Sequence, residues 1–120
     1  MVIGIRNIPQ PPPGRLDVPG IIEAFANRMM YSVAQDQFTA REFDIYQAMA
    51  QAVRDRLLER WFRTQNTYYH RDAKRVYYLS LEFLMGRSLL NNILNLDAED
   101  AYTRAMEEIG FRMEDIVQQE

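Results

Sequence analysis

From Ile22 onward, apolar side chains recur every three or four positions, the period of helices with one buried face. Ile22, Phe25, Met29 and Val33 make the first such stripe, predicting a helix that starts after Pro19-Gly20 and ends near Ala34 to Asp36. Thr39-Ala-Arg-Glu42 then has the spacing of a capping box, in which the Thr39 hydroxyl takes the Glu42 amide and the Glu42 carboxylate reaches back. Behind it Phe43, Tyr46, Ala50, Val53, Leu57, Trp61, Thr64 and Tyr68 step on without interruption, and no glycine or proline falls between Thr39 and Arg75. The pattern predicts one long amphipathic helix whose aromatic stripe is core or subunit interface rather than a cofactor box.

The pattern changes at Val76-Tyr-Tyr-Leu-Ser-Leu81, where both alternating faces are apolar and the residues are β-branched or aromatic. That is the signature of a strand buried between helices, so the expected fold class is α/β: mainly helical, with one buried strand. A buried strand needs neighbours for its backbone. The only other candidate is Val2-Ile-Gly-Ile5, so the partners are expected beyond Glu120, where the chain stops without a turn signal. Past Gly86 the helical period returns. Leu89, Leu90, Ile93, Leu94 and Leu96 form a wide apolar face, Asp97 is placed to cap a further helix carrying Tyr102, Met106 and Ile109, Gly110 is a natural stop, and Met113 to Gln119 starts another turn.

Composition adds boundaries. Residues 1–20 hold all five prolines and three of the five glycines, which reads as a flexible Pro-rich tail with polyproline II character around Pro11 to Pro13, leaving 21–120 as an incomplete helical unit. Such a run is either a ligand for an SH3-type groove or a plain disordered terminus. It contains no serine or threonine, so a phosphorylation switch there has nothing to modify. With 48% hydrophobic and 26% charged residues the chain reads as an ordinary soluble protein. Without cysteine there is no disulfide or thiolate zinc site, and the single histidine, His70, argues against a histidine metal cluster. No secretory signal is visible, and nothing approaches the roughly 18 consecutive apolar residues of a membrane span. A cytoplasmic location is expected.

Charge is unevenly laid out. Arg54, Arg56, Arg60, Arg63, Arg71, Lys74 and Arg75 face only Asp55, Glu59 and Asp72, whereas eight acids meet two arginines from Asp97 onward. The basic run either meets phosphate or an acidic surface, or is a solvated face laced with ion pairs. There is no glycine-rich phosphate loop. Lys74, the only lysine, sits in a charged turn unlike the desolvated pocket of a Schiff-base lysine. Glu82 follows the expected strand at its C-terminal end, where ligands gather in α/β proteins; its alternatives are pairing with Arg87 or capping the next helix.

The stretches Trp61-Phe-Arg-Thr-Gln-Asn-Thr-Tyr-Tyr69 and Lys74-Arg-Val-Tyr-Tyr-Leu-Ser-Leu-Glu-Phe-Leu-Met-Gly-Arg87 resemble the N-terminal part of the α-1,4-glucan (glycogen, starch or maltodextrin) phosphorylases. The likeness extends to Ala52–Arg56 and Asn91–Leu96, and more weakly to Phe25–Arg28 and Asp36, covering roughly residues 21–120. It implies a larger two-lobed, Rossmann-like fold of the GT-B type, usually homodimeric. It also implies phosphorolysis of a glucan by inorganic phosphate to glucose 1-phosphate, with pyridoxal phosphate held by a lysine outside this chain. This chain by itself is then an inactive N-terminal piece; the alternative is a stand-alone helical interaction module. By the resemblance Glu82 matches a glutamate lining the catalytic cleft, although Leu84 stands where animal members often have tyrosine. Gln65 and Tyr69 match residues that meet an AMP-like effector near the dimer interface, with Asn66 in place of a second glutamine. Asp36 matches an aspartate whose loop reaches over the partner subunit. Neither nucleic acid nor membrane is implied as a partner.

Overall fold

A computed structural model describes residues 9–120. Five α-helices follow one another: α1 (Val18–Arg28), α2 (Glu42–His70), α3 (Leu89–Asn95), α4 (Glu99–Glu108) and α5 (Met113–Val117). A π-helical turn, Met29–Val33, extends α1.

Each boundary has a local cause. Asp17 caps α1 by accepting from the Gly20 N–H at 3.0 Å, and Pro19 in the first turn gives up a donor that would be unpaired anyway. The helix therefore begins slightly ahead of the position its sequence suggested. After the π-turn, Ala34 adopts a left-handed φ of 58° and ends the run. The capping box expected at Thr39–Glu42 does not form. The Thr39 hydroxyl binds Asp36 instead, and Asp44 accepts from the Arg41 N–H at 3.0 Å to close the first turn of α2.

Three helices end in the same way. At the end of α2, Asp72 takes a left-handed φ of 48°, and the Ala73 and Asp72 N–H groups donate to Tyr68 and Tyr69 carbonyls at 3.1 and 3.3 Å. Beyond α3, Asp97 (φ 56°) is followed by bonds from Ala98 to Ile93 and from Asp97 to Leu94. Beyond α4, Gly110 (φ 90°) allows Phe111 to donate to Met106 at 2.8 Å. These are Schellman turns, which satisfy carbonyls that a helix end leaves unpaired. The turn at Asp72 stops α2 at His70, two residues past Tyr68, the last position of the expected stripe. Asp97 ends α3 and does not cap α4.

The core lies where the first half of α2 meets the other helices. Its buried ridge is Ile45, Ala48, Met49, Ala52 and Val53. Ile21 and Phe25 of α1, Leu89, Ile93 and Leu96 around α3, Tyr102 and Met106 of α4, and Met113 and Ile116 of α5 complete it. Helix α1 packs on α2 and α4, while α3 and α5 also pack on α2. Phe111, placed by the Gly110 turn, meets Phe25 with ring centroids 6.2 Å apart. The ridge is turned from the expected stripe: Val53 is buried, Tyr46, Ala50 and Leu57 are half-buried, and Phe43, Trp61, Thr64 and Tyr68 are exposed.

The α/β expectation is overturned. No strand forms among the described residues, and Val76–Leu81 is irregular and exposed, with Val76 at 87% and Leu79 at 91%. Strand propensity reflects fit to a pleated, partnered surface and not an intrinsic backbone state, and no neighbouring backbone is offered among the described residues. The other candidate, Val2–Ile5, lies outside them. For the same reason α3 buries only Leu89 and Ile93, with Leu96 just beyond, and leaves Leu90 and Leu94 exposed.

Burial therefore separates two leucine-sized positions sharply. Met106→Ala, at a fully buried site, is expected to lower unfolding free energy by about 2–5 kcal/mol. Leu79→Ala is expected to change it by no more than about 0.5 kcal/mol. Urea denaturation followed by helical circular dichroism measures both.

Candidate functional site at the tip of the long helix

The second half of α2 is built differently from the first. Arg56 pairs with Glu59 at 3.2 Å, and Glu59 also accepts from the Gly14 N–H at 3.0 Å, fastening the segment before α1 to this helix. Arg60 donates to the Asn95 and Leu96 carbonyls at 3.3 and 3.1 Å, clamping the end of α3. Arg28 of α1 meets Asp55 through a two-nitrogen contact of 2.6 and 2.7 Å. Tyr102, buried beside this charged group, has its hydroxyl pushed up to about 12 chiefly by desolvation.

Past Arg60 nothing on α2 is buried. Gln65 and Tyr69 are four residues apart and Asn66 and Tyr69 three, so the three side chains share one patch of helix surface. Gln65 is half-buried, and Asn66 and Tyr69 are exposed, Tyr69 at 76%. The Tyr69 ring meets His70 edge-on at 5.8 Å. One turn earlier, Trp61 and Phe62 stack edge-to-face at 5.0 Å and are both half open to solvent. The Thr64 and Thr67 hydroxyls are turned inward onto the Arg60 and Arg63 carbonyls. Arg63, Arg71, Lys74 and Arg75 are exposed and form no ion pair among the described residues. The basic run is thus divided: Arg56 and Arg60 are laced into the fold, and Arg63, Arg71, Lys74 and Arg75 are exposed without an ion pair among the described residues.

Asp36 lies at the other end of α2. Its carboxylate accepts from the Phe38 N–H, the Thr39 N–H and the Thr39 hydroxyl, each at 2.9 Å. These bonds, the Thr39 hydroxyl first, hold its pKa below the ordinary 3.8. Tyr69 is 27 residues beyond Glu42 on a straight helix, or roughly 40 Å away at 1.5 Å per residue. One copy of the chain therefore does not bring Asp36 to Gln65, Asn66 and Tyr69. Glu82 is exposed in the irregular segment, its N–H donating to the Ser80 hydroxyl at 3.1 Å, and its pairing with Arg87 is not formed among the described residues. Lys74 is exposed in the same segment. It lacks the desolvated pocket that a Schiff-base lysine needs, so the described residues do not fit pyridoxal phosphate and no catalytic step is assigned to them.

The patterns of the sequence did not show that Arg60 and Glu120 fasten the two ends of α3. The Glu120 carboxylate accepts from the Ser88 and Leu89 N–H groups at the start of α3, at 2.5 and 3.1 Å. Both contacts join residues more than thirty positions apart, and no periodicity carries that information. No helix is long and apolar enough to cross a membrane among the described residues.

No protein-family model matches the chain. It is 42% identical over 100 residues to the brain form of glycogen phosphorylase from Bos taurus, covering 83% of this chain and 12% of that protein. The brain form from Homo sapiens is 41% identical over the same length. The muscle form from Homo sapiens is 45% identical over 92 residues, or 77% of this chain and 11% of that protein. The chain thus spans about 12% of the length of the brain-form relatives it matches.

The Asp36 turn yields a measurable consequence. Because its pKa is lowered in the folded state, the order it confers is complete above pH 3.8 and is lost as pH falls through the lower folded value. Carboxylate NMR is expected to place the Asp36 midpoint below 3.8, and Thr39→Val, which removes the largest cause, is expected to move it upward.

Proposed function

The chain carries sequence of the glycogen phosphorylase family, and on that premise we propose that it is the dimer-forming, effector-contacting N-terminal portion of a cytoplasmic α-1,4-glucan phosphorylase. The parent enzyme cleaves glucan with inorganic phosphate to give glucose 1-phosphate, and its pyridoxal phosphate is held by residues outside this chain.

The observation that carries the reading is the composition of the α2 tip. Half-buried Gln65 and exposed Asn66 and Tyr69 share one patch of helix surface, with the exposed guanidinium groups of Arg63, Arg71 and Arg75, which form no ion pair among the described residues, close by in sequence. An aromatic face for a base, amide groups for its polar edge and cations for a phosphate together suit a nucleoside monophosphate of the AMP kind. The roughly 40 Å that separates Asp36 from Tyr69 along α2 means that a second copy must supply the Asp36 loop if both line one site. The exposed Trp61–Phe62 pair beside the patch gives such a copy an apolar surface to cover. Asn66, one methylene shorter than glutamine, weakens the contact to the ligand.

A helical interaction module is favoured by one feature, the closure of a core drawn from all five helices. Phosphorolysis by the complete polypeptide separates the two readings.

Two outcomes are expected. The 120-residue chain alone releases no glucose 1-phosphate from glycogen; release by a preparation free of other enzymes overturns that. In the complete polypeptide AMP raises activity, Tyr69→Ala abolishes the response while leaving activity without AMP intact, and Asn66→Gln strengthens it. Unchanged activity with and without AMP removes the effector assignment but leaves the phosphorylase assignment standing.

A further inference from the structure

The guanidinium group of Arg28 is used at all three of its nitrogens. Nε and Nη2 meet the Asp55 carboxylate of α2 at 2.7 and 2.6 Å, and Nη1 donates to the Ser32 hydroxyl at 3.0 Å. Ser32 belongs to the π-helical turn Met29–Val33. One planar group therefore ties that turn to α2. A lysine ammonium is a compact point charge without the rigid fork that serves both partners at once.

The turn matters for what leaves it. Ala34 takes a left-handed φ of 58°, and its N–H donates to the Met29 carbonyl, which also accepts from the Gln35 N–H at 3.1 Å. Asp36 comes next and closes its own turn onto Phe38 and Thr39. From Arg28 to Thr39 the chain is thus a relay of short polar contacts. Met29 and Val33 are half-buried against the core, which sets the depth of the turn. Apolar contact is non-directional, so the direction in which the Asp36 loop departs falls to the bond between Arg28 and Ser32.

We propose that Arg28 is a positioning residue for the Asp36 loop. Anchored on Asp55, it holds Ser32 and so sets the angle at which the loop is presented to the α2 tip of a second copy. This rests on the reading of that tip as a nucleotide site shared between two copies. The role of Arg28 is indirect: it acts through Ser32 and the π-turn, and its loss changes the aim of Asp36 while Gln65, Asn66 and Tyr69 stay as they are.

The test uses Ser32→Ala, which removes one contact only, Arg28→Lys, which keeps a charge for Asp55 without the fork, and Ser32→Thr, which keeps the hydroxyl. Native-state hydrogen exchange of the 120-residue chain is expected to show the Gln35 amide exchanging about fivefold faster in the first two, with the Met49 amide unchanged and Ser32→Thr like the parent. In the complete polypeptide the half-saturating AMP concentration is expected to rise about fivefold in the same two variants, with activity in the absence of AMP unchanged. Unaltered Gln35 exchange overturns the proposal, as does equal acceleration at Met49, which would make Arg28 a general stabiliser. Faster Gln35 exchange beside an unaltered AMP response overturns the presentation of Asp36. A complete polypeptide indifferent to AMP removes the nucleotide reading itself, and Gln35 exchange then decides alone whether Arg28 aims the loop.

Discussion

Everything in this fold is referred to the ridge Ile45–Met49–Val53 on the first half of α2. A helix can bury one stripe at full density, and each fully buried side chain of this size contributes about 1.5–3 kcal/mol of transfer free energy. Four other helices are short, α3 and α5 being only seven and five residues, and none would hold in water without that surface. The polar contacts off the ridge (Arg28 to Asp55, Arg60 to the end of α3, Glu59 to Gly14) fix the angles at which the neighbours arrive. Their energies are small by comparison, but they carry register.

The helices were legible in the sequence because their period is a local property. Their ends were less so. Gly110 announces its turn, since glycine adopts positive φ without strain, and the chain does turn there. Asp72 and Asp97 make the same turn without a glycine, and a search for glycine and proline passes over them; hence the stop of the long helix was not placed and Asp97 was given to the wrong helix. The Val76–Leu81 strand failed for a different reason. Its residues satisfy every local rule for a buried strand, but a strand is completed by other backbone, and local sequence cannot say whether that backbone is present.

The candidate site divides along the same line. Gln65, Asn66 and Tyr69 fall on one surface because helical spacing places them there, and the aromatic and basic character of that surface could be read directly. The inward turn of Asp36 onto Thr39 could not, because a carboxylate at a loop is as readily an outward ligand as a local lock. Nor could the division of the basic run, which depends on Arg60 finding carbonyls more than thirty residues away.

The clamp at Arg60 also divides α2 in time. Up to that residue the helix is held from several sides, and opening any part of it means parting the core. Beyond it, the ten residues from Trp61 to His70 are secured only by their own hydrogen bonds and the Asp72 turn. Local opening free energies should therefore descend along one continuous helix, from near the global value around Met49 to that of a fraying end at Tyr69. A ligand gripping that end would have to still it first, and the ordering would register as an entropic cost in its affinity.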